Sequence, residues 1–154
     1  MDSKNLLKHL ESLVQVDVDA MHCYTSAIDR IDLPEVKEQL VQFRSDHERH
    51  ISDLASFIER LGGRPSMRVL DLRGAFLQGM TAIRSMIGTE SALRAMRDNE
   101  EAINKSYDMT VEQDLPRNVK RVIQMNRQDE RRHLEYVNKC IMERVWEKHE
   151  KTAA

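Results

Sequence analysis

The segment KRVIQMNRQDERRHL (residues 120–134) repeats in outline an earlier one, KEQLVQFRSDHERHI (residues 37–51), at an offset of 83 residues. The two share Lys37/Lys120, Arg44/Arg127, Asp46/Asp129, Arg49/Arg132 and His50/His133. One Glu130-x-x-His133 pair would be cheap in a chain rich in both residue types. The same offset, however, also relates Asp17 to Glu100, Tyr24 to Tyr107 and His47 to Glu130. It nearly superposes two Asp-Leu-Pro turns, at 32–34 and 114–116. The chain reads as two related helical hairpins, pseudo-repeats over about 4–61 and 90–148, within a single domain covering 1–154.

Composition supports helices. Charged residues make up 32% of the chain and aromatics 5%, with 5 Gly and 3 Pro, a balance that suits long helices better than strands. The breaks fall at the two Asp-Leu-Pro turns, at LGGRPS (61–66), and at IGTES (87–91), where Thr89 is placed to cap the helix that follows. Helices are expected near 4–31, 34–61, 68–86, 90–113 and 117–148. The expected fold is all-α: a four-helix bundle of two hairpins, with the helix near 68–86 crossing between them.

Each long helix carries an apolar seam at alternating steps of four and three. The first runs Leu6, Leu10, Leu13, Asp17, Ala20, Tyr24, Ala27, Ile31; the second runs Val36, Leu40, Phe43, His47, His50, Leu54, Phe57, Leu61. The later pair runs Leu93, Met96, Glu100, Ile103, Tyr107, Thr110 and Val119, Ile123, Asn126, Glu130, His133, Val137, Cys140. Asp17, His47, His50, Glu100, Glu130 and His133 thus occupy positions where the pattern asks for an apolar side chain. At about 1.5 Å per residue, each polar insertion lies roughly 25 Å from its hairpin turn, so all six can share one layer of the bundle.

Burying six ionisable groups without partners costs several kcal/mol each. Divalent metal ions offset that cost by taking carboxylate oxygens and imidazole nitrogens as ligands. Mutual hydrogen bonding is the alternative, and it satisfies two or three such groups more easily than six. Tyr24 and Tyr107 suit either a hydrogen bond to a ligand or an amphipathic core position. The methionines, Met80, Met86 and Met96 among them, read as core filler. RQDERRH (127–133) reads as a solvated face with only Glu130 and His133 turned inward, and Trp146 as cover for a bundle end or a partner.

Several function classes are excluded. A net charge of −2, with both signs interspersed, gives no basis for binding nucleic acid or an anionic membrane. No apolar run approaches bilayer length, and MDSKNLLKHLES (1–12) lacks a signal-peptide core, so the expected location is cytoplasmic. Cys23 and Cys140 are too few for a disulfide scaffold and read as buried thiols.

These residues resemble the ferritin-like superfamily of carboxylate-bridged di-metal four-helix bundles, in which two helices each give one Glu and two give Glu-x-x-His. More narrowly, LGGRPS, DLRGAFLQG (71–79) and ALRAMRDNEEAINKSYD (92–108) are similar to an uncharacterised family of small bacterial ferritin-like proteins. The resemblance implies Glu100 as a terminal ligand, Glu130 as the bridge, and His50 and His133 as nitrogen ligands, with Asp17 and His47 completing the second position. His47 stands where the pattern has a bridging Glu. That departure implies an asymmetric pair of ions, or one ion on the Glu100, Glu130 and His133 side.

The function implied is metal binding, iron foremost, with oxidation of Fe(II) or reduction of peroxide or dioxygen in the manner of a ferroxidase or peroxidase. A zinc, manganese or iron holder without turnover and a metal-free scaffold are the alternatives. A homodimer is implied by the superfamily alone.

Overall fold

The computed structural model describes residues 1–64 and 87–148. Among these described residues four long helices are formed: α1 (Ser3–Ile28), α2 (Pro34–Arg60), α3 (Gly88–Val111) and α4 (Arg117–Met142). The crossover helix expected near 68–86 lies outside the described residues, as do Met80 and Met86.

Local chemistry sets the ends. The Asp2 carboxylate accepts the backbone N–H of Asn5 at 2.8 Å, which starts α1. α1 stops at Ile28, three residues earlier than the seam suggests, because the chain turns at 29–30 and becomes extended before Pro34. Ile31 and Leu33 are then buried by the turn itself. Pro34 takes the first helical position of α2, whereas Pro116 stands just outside α4 as its cap residue.

Thr89 does not cap α3. That helix starts at Gly88, which has φ +79°, and the Thr89 hydroxyl accepts the N–H of Asp32 at 3.1 Å. The contact ties the first hairpin turn to the start of α3. α4 ends at Met142 and does not run to 148, because Arg144 adopts φ +47°. The break folds residues 145–148 back as a helical turn and buries Trp146 in the core, covering one bundle end.

α1 pairs with α2 and α3 with α4 as hairpins; α1 packs along α3, and α2 also meets α4. The hairpins run in opposite directions, since Tyr24 reaches Glu100 while Tyr107 reaches Asp17. Their apolar seams form two clusters. One holds Tyr24, Leu40, Phe43, Leu93, Met96 and Val137 among others; the second holds Leu10, Leu13, Leu54, Ile58, Ile103 and Ile123. Each Leu or Ile so buried stabilises the bundle by about 1.5–3 kcal/mol. Between the clusters lies the polar layer. Among the described residues no helix is long and apolar enough to cross a membrane.

Candidate metal centre

Asp17 (α1), His47 and His50 (α2), Glu100 (α3), and Glu130 and His133 (α4) are each 0% exposed. All six side chains expected from the seams therefore meet in one region. They divide into two overlapping donor sets, Asp17–His47–His50–Glu130 and His47–Glu100–Glu130–His133, each with its donor atoms within 4.8 Å of one another. His47 and Glu130 belong to both.

The first position is tight. His47 Nδ1 lies 2.8 Å from Asp17 Oδ1 and 3.4 Å from Glu130 Oε1, while His50 Nδ1 lies 3.3 Å and 3.0 Å from the same two oxygens. These are hydrogen-bond and ion-pair distances, the shortest of them below the roughly 3.3–3.6 Å between ligands held at about 2.0–2.2 Å by one tetrahedral ion, so the donors are close enough to converge on one. The second position is wider. Glu100 Oε1 is 3.9 Å from both His47 Nε2 and His133 Nδ1, and His133 Nδ1 is 3.4 Å from Glu130 Oε2.

The second position also holds most of the atoms that lack partners. His47 Nε2, Glu100 Oε2, both carboxylate oxygens of Glu130 and His133 Nδ1 are buried and make no hydrogen bond among the described residues. Native interiors rarely leave such atoms unsatisfied, at a cost of about 1–3 kcal/mol each or more when charged. Five in one layer fit a cation as the missing partner.

Two groups outside the expected set orient the imidazoles. His50 Nε2 faces Asp129 Oδ2 at 3.1 Å, and His133 Nε2 faces Asp46 Oδ2 at 2.9 Å. Each aspartate comes from the opposite hairpin and is anchored by arginines: Asp46 by Arg132 at 2.7 Å and Arg49 at 3.1 Å, Asp129 by Arg49 and by Arg132 at 3.2 Å. An aspartate that takes the Nε2 proton leaves the Nδ1 lone pair facing inward, as a metal-binding histidine needs. RQDERRH is thus less solvated than its charge suggests, with Asp129 only 20% exposed. The repeat had already marked Asp46 and Asp129 as equivalent; their role was hidden because both sit one step off the seam.

The tyrosines hydrogen-bond the outer carboxylates across the bundle. Tyr24 Oη donates to Glu100 Oε1, and Tyr107 Oη donates to Asp17 Oδ2 at 2.6 Å. Asn104, also missed by the sequence reading, ties the layer together by donating to the backbone carbonyls of Glu100 at 2.8 Å and Glu130 at 2.9 Å. Phe43 covers His133 with ring centroids 4.2 Å apart.

Electrostatics follow from this crowding. Burial opposes charge on His47, yet the Glu130 charge and the Asp17 hydrogen bond raise its pKa well above the usual value. The same opposition, won by contacts with Asp17 and Glu130, brings His50 to about 9. His133 is raised by Asp46 and Glu130 against its burial. Glu130 is held well below the carboxylate range: burial opposes its charge, but the surrounding imidazoles prevail. Glu100 is pushed up by burial and by the Glu130 charge, against the His47 contact. Burial drives both tyrosines up, helped by the Glu100 charge for Tyr24 and the Asp17 charge for Tyr107, so they stay phenolic donors. Cys23 and Cys140 are buried free thiols, Cys23 raised to about 12 by burial.

Known proteins place the fold. A crystal structure titled as ferritin like, diiron-carboxylate proteins, from Bacillus anthracis str. Ames, aligns over 92% of this chain and 99% of its own with a TM-score of 0.70 and 21% identity. At that identity the likeness shows the fold: a ferritin-like helical bundle. No curated protein matches the sequence. A family model described as a domain of unknown function, DUF2383, matches residues 5–113, a span that includes Asp17, His47, His50 and Glu100 and stops before α4. With most of its length inside that match, the chain belongs to the DUF2383 family.

Proposed function

We propose that this chain is a metal-binding protein that holds two divalent ions in the polar layer, iron foremost, and uses them to oxidise Fe(II) or to reduce peroxide or dioxygen. The observation that carries the reading is the group of five buried donor atoms on His47, Glu100, Glu130 and His133 that have no hydrogen-bond partner among the described residues. The diiron-carboxylate title of the structural neighbour supports iron. In this reading Glu100, Glu130 and His133 would hold one ion, and Asp17, His47 and His50, with Glu130 shared, would hold the other.

A bound iron pair supplies one-electron redox chemistry toward oxygen species. The chain's own part is orientation and exclusion of water. Asp129 and Asp46 hold the Nε2 protons of His50 and His133, and Tyr107 and Tyr24 fix the rotamers of Asp17 and Glu100. The apolar clusters on either side limit water along the bundle axis.

A second reading, zinc or manganese held without turnover, is favoured by one feature. Three imidazoles in the layer, two of them at the tight first position, make a nitrogen-rich set that suits zinc.

The test is metal content of protein purified without chelator, beside a Glu130→Ala, His133→Ala variant. About two equivalents of iron, absent from the variant, with Fe(II) oxidation or peroxide consumption by the loaded chain, is the expected result. Zinc or manganese without turnover selects the second reading. No metal after reconstitution, with unchanged melting, overturns both and leaves a scaffold.

A further inference from the structure

We infer that divalent ions reach the polar layer from the side, through a cavity between α2 and α4, and that Arg132 is the side chain that closes this route. The inference rests on the metal reading above and adds to it the way in.

A layer whose six residues are all fully buried can be filled only if some part of its wall opens. Most of that wall is costly to move. Along the bundle axis the two apolar clusters stand on either side, and parting them exposes close-packed apolar side chains. Toward α1 and α3 the outer carboxylates are held by Tyr24 and Tyr107, both 0% exposed, and Asn104 ties α3 to α4. Opening there strands buried polar groups.

The α2–α4 side is different. Asp46 and Asp129, which stand behind His133 and His50, are 16% and 20% exposed. The arginines paired with them, Arg49 and Arg132, are 51% and 58% exposed. Ion pairs so open to water add little stability, and an arginine swings out of them at small cost. Among the described hydrogen-bond partners of the layer, exposure rises along this line, from imidazole to aspartate to arginine.

Arg132 closes the route because a cavity adjoins it. About 450 Å³ of open space on this face is lined by Gln39, Gln42, Phe43, Asp46, Arg132 and Tyr136. Phe43 lies against the His133 ring, with centroids 4.2 Å apart, so one aromatic side chain stands between the cavity and the wider, second position. The Arg132 guanidinium carbon lies 5.9 Å from the Phe43 centroid, and the same group pairs with Asp46 at 2.7 Å and Asp129 at 3.2 Å. Swung out, it uncovers the Asp46 carboxylate in a cavity that Gln39 and Gln42 also line, oxygen donors that suit a partly hydrated divalent cation. The 83-residue offset puts Val122 and Met125 where this mouth has Gln39 and Gln42, so the polar mouth belongs to one half of the repeat.

The test follows cobalt(II), whose absorbance reports binding, into the chelator-treated chain by stopped flow, and then its release into excess EDTA. Arg132→Ala should speed loading and release alike, about three- to tenfold, with affinity unchanged within a factor of about two. Gln42→Trp, at an exposed position on the rim, should slow both by filling the cavity. Arg127→Ala, which removes the pair with Asp108 between α3 and α4, should change neither. A change in one rate alone would mean that Arg132 acts through its charge or through its support of Asp46. Unchanged rates in both cavity variants, or equal acceleration by Arg127→Ala, would place the entry elsewhere. Each of these overturns the route and leaves the metal reading standing. Cobalt that binds neither the parent chain nor any variant removes the metal reading and the route with it.

Discussion

Tyr107 on α3 donates its phenol proton to Asp17 on α1 at 2.6 Å, across 90 residues of sequence, and Tyr24 on α1 does the same for Glu100 on α3. Each hairpin thus supplies the donor that fixes the carboxylate on the first helix of the other. Opposed helix directions make this exchange possible. A tyrosine two turns from its own helix's acid lies level with the acid of the partner helix.

Tyr107→Phe removes that donor and keeps the ring. A hydrogen bond to a charged group stabilises by about 1.5–3 kcal/mol, so urea denaturation of the chelator-treated protein should show a loss in that range. With Asp17 freed to change rotamer, zinc affinity at the first position should fall about 10–100-fold. Unchanged affinity in a calorimetric titration would show that Asp17 does not need the phenol, or does not bind metal.

Asp46→Asn tests the orientation of His133. The amide can present its NH2 to Nε2, which shifts the ring proton to Nδ1 and turns a donor nitrogen away from metal chemistry. Zinc affinity should fall about 10–100-fold, and the chelator-treated protein should also melt lower above about pH 4, where the contacts of Asp46 with Arg49, Arg132 and His133 are lost. Asp129→Asn should do the same through His50. A large stability loss with intact affinity would instead make the aspartates structural.

How much of this was legible in the sequence depended on periodicity. The six buried ionisable residues interrupted otherwise apolar seams, so their meeting in one layer could be read before any coordinates. The 83-residue offset pointed to two hairpins but not to how they face each other, which the Tyr24–Glu100 and Tyr107–Asp17 contacts show. Asp46 and Asp129 escaped because a residue beside the seam reads as solvated until the facing helix is known to bring a histidine to it. Thr89 and Arg144 escaped for another reason. A threonine near a helix start looks like a cap, and nothing local in VWEK marks a left-handed residue just before it; both outcomes come from tertiary packing.

The chelator-treated protein should lose stability as pH rises. His50 has a folded pKa of about 9, above its ordinary value near 6.5, so the folded state binds the extra proton. Its contribution, on the order of 3 kcal/mol at most, is fully present below pH 6.5 and gone above about 9. His47, His133 and Glu100, all raised, act in the same sense. Asp46 works at the other end: burial opposes its charge, but His133, Arg132 and Arg49 bring it down to about 2. Its contribution is present above about pH 4 and lost as pH falls through 2. Thermal melting should therefore peak between about pH 4 and 6.5. Zinc, which displaces the imidazole protons, should raise melting most at pH 8–9. A melting temperature of the zinc-free protein that climbs from pH 6.5 to 9 would contradict the buried ion pairs.

The end of α2 gives a prediction independent of metal. Gly62 has φ +77° and open space around it, so Gly62→Ala meets only backbone strain, about 1 kcal/mol. Gly63 is crowded. A β-carbon there would lie 2.6 Å from Leu7 Cδ1, 2.9 Å from Ile58 Cγ2 and 3.2 Å from the Ile58 carbonyl oxygen. Leu7 is only partly buried and its tip can swing aside. Ile58 is 0% exposed, and its carbonyl accepts the Gly63 N–H at 2.9 Å, so neither of its atoms can yield without opening the helix end. Gly63→Ala should therefore cost more than Gly62→Ala, about 1–3 kcal/mol. In a chain of this size each kcal/mol lowers the melting temperature by roughly 2–4 °C, so differential scanning calorimetry resolves the order. Metal affinity should be the same in both variants. If Gly62→Ala proved the more damaging, the close packing of α1 against the end of α2 would be wrong.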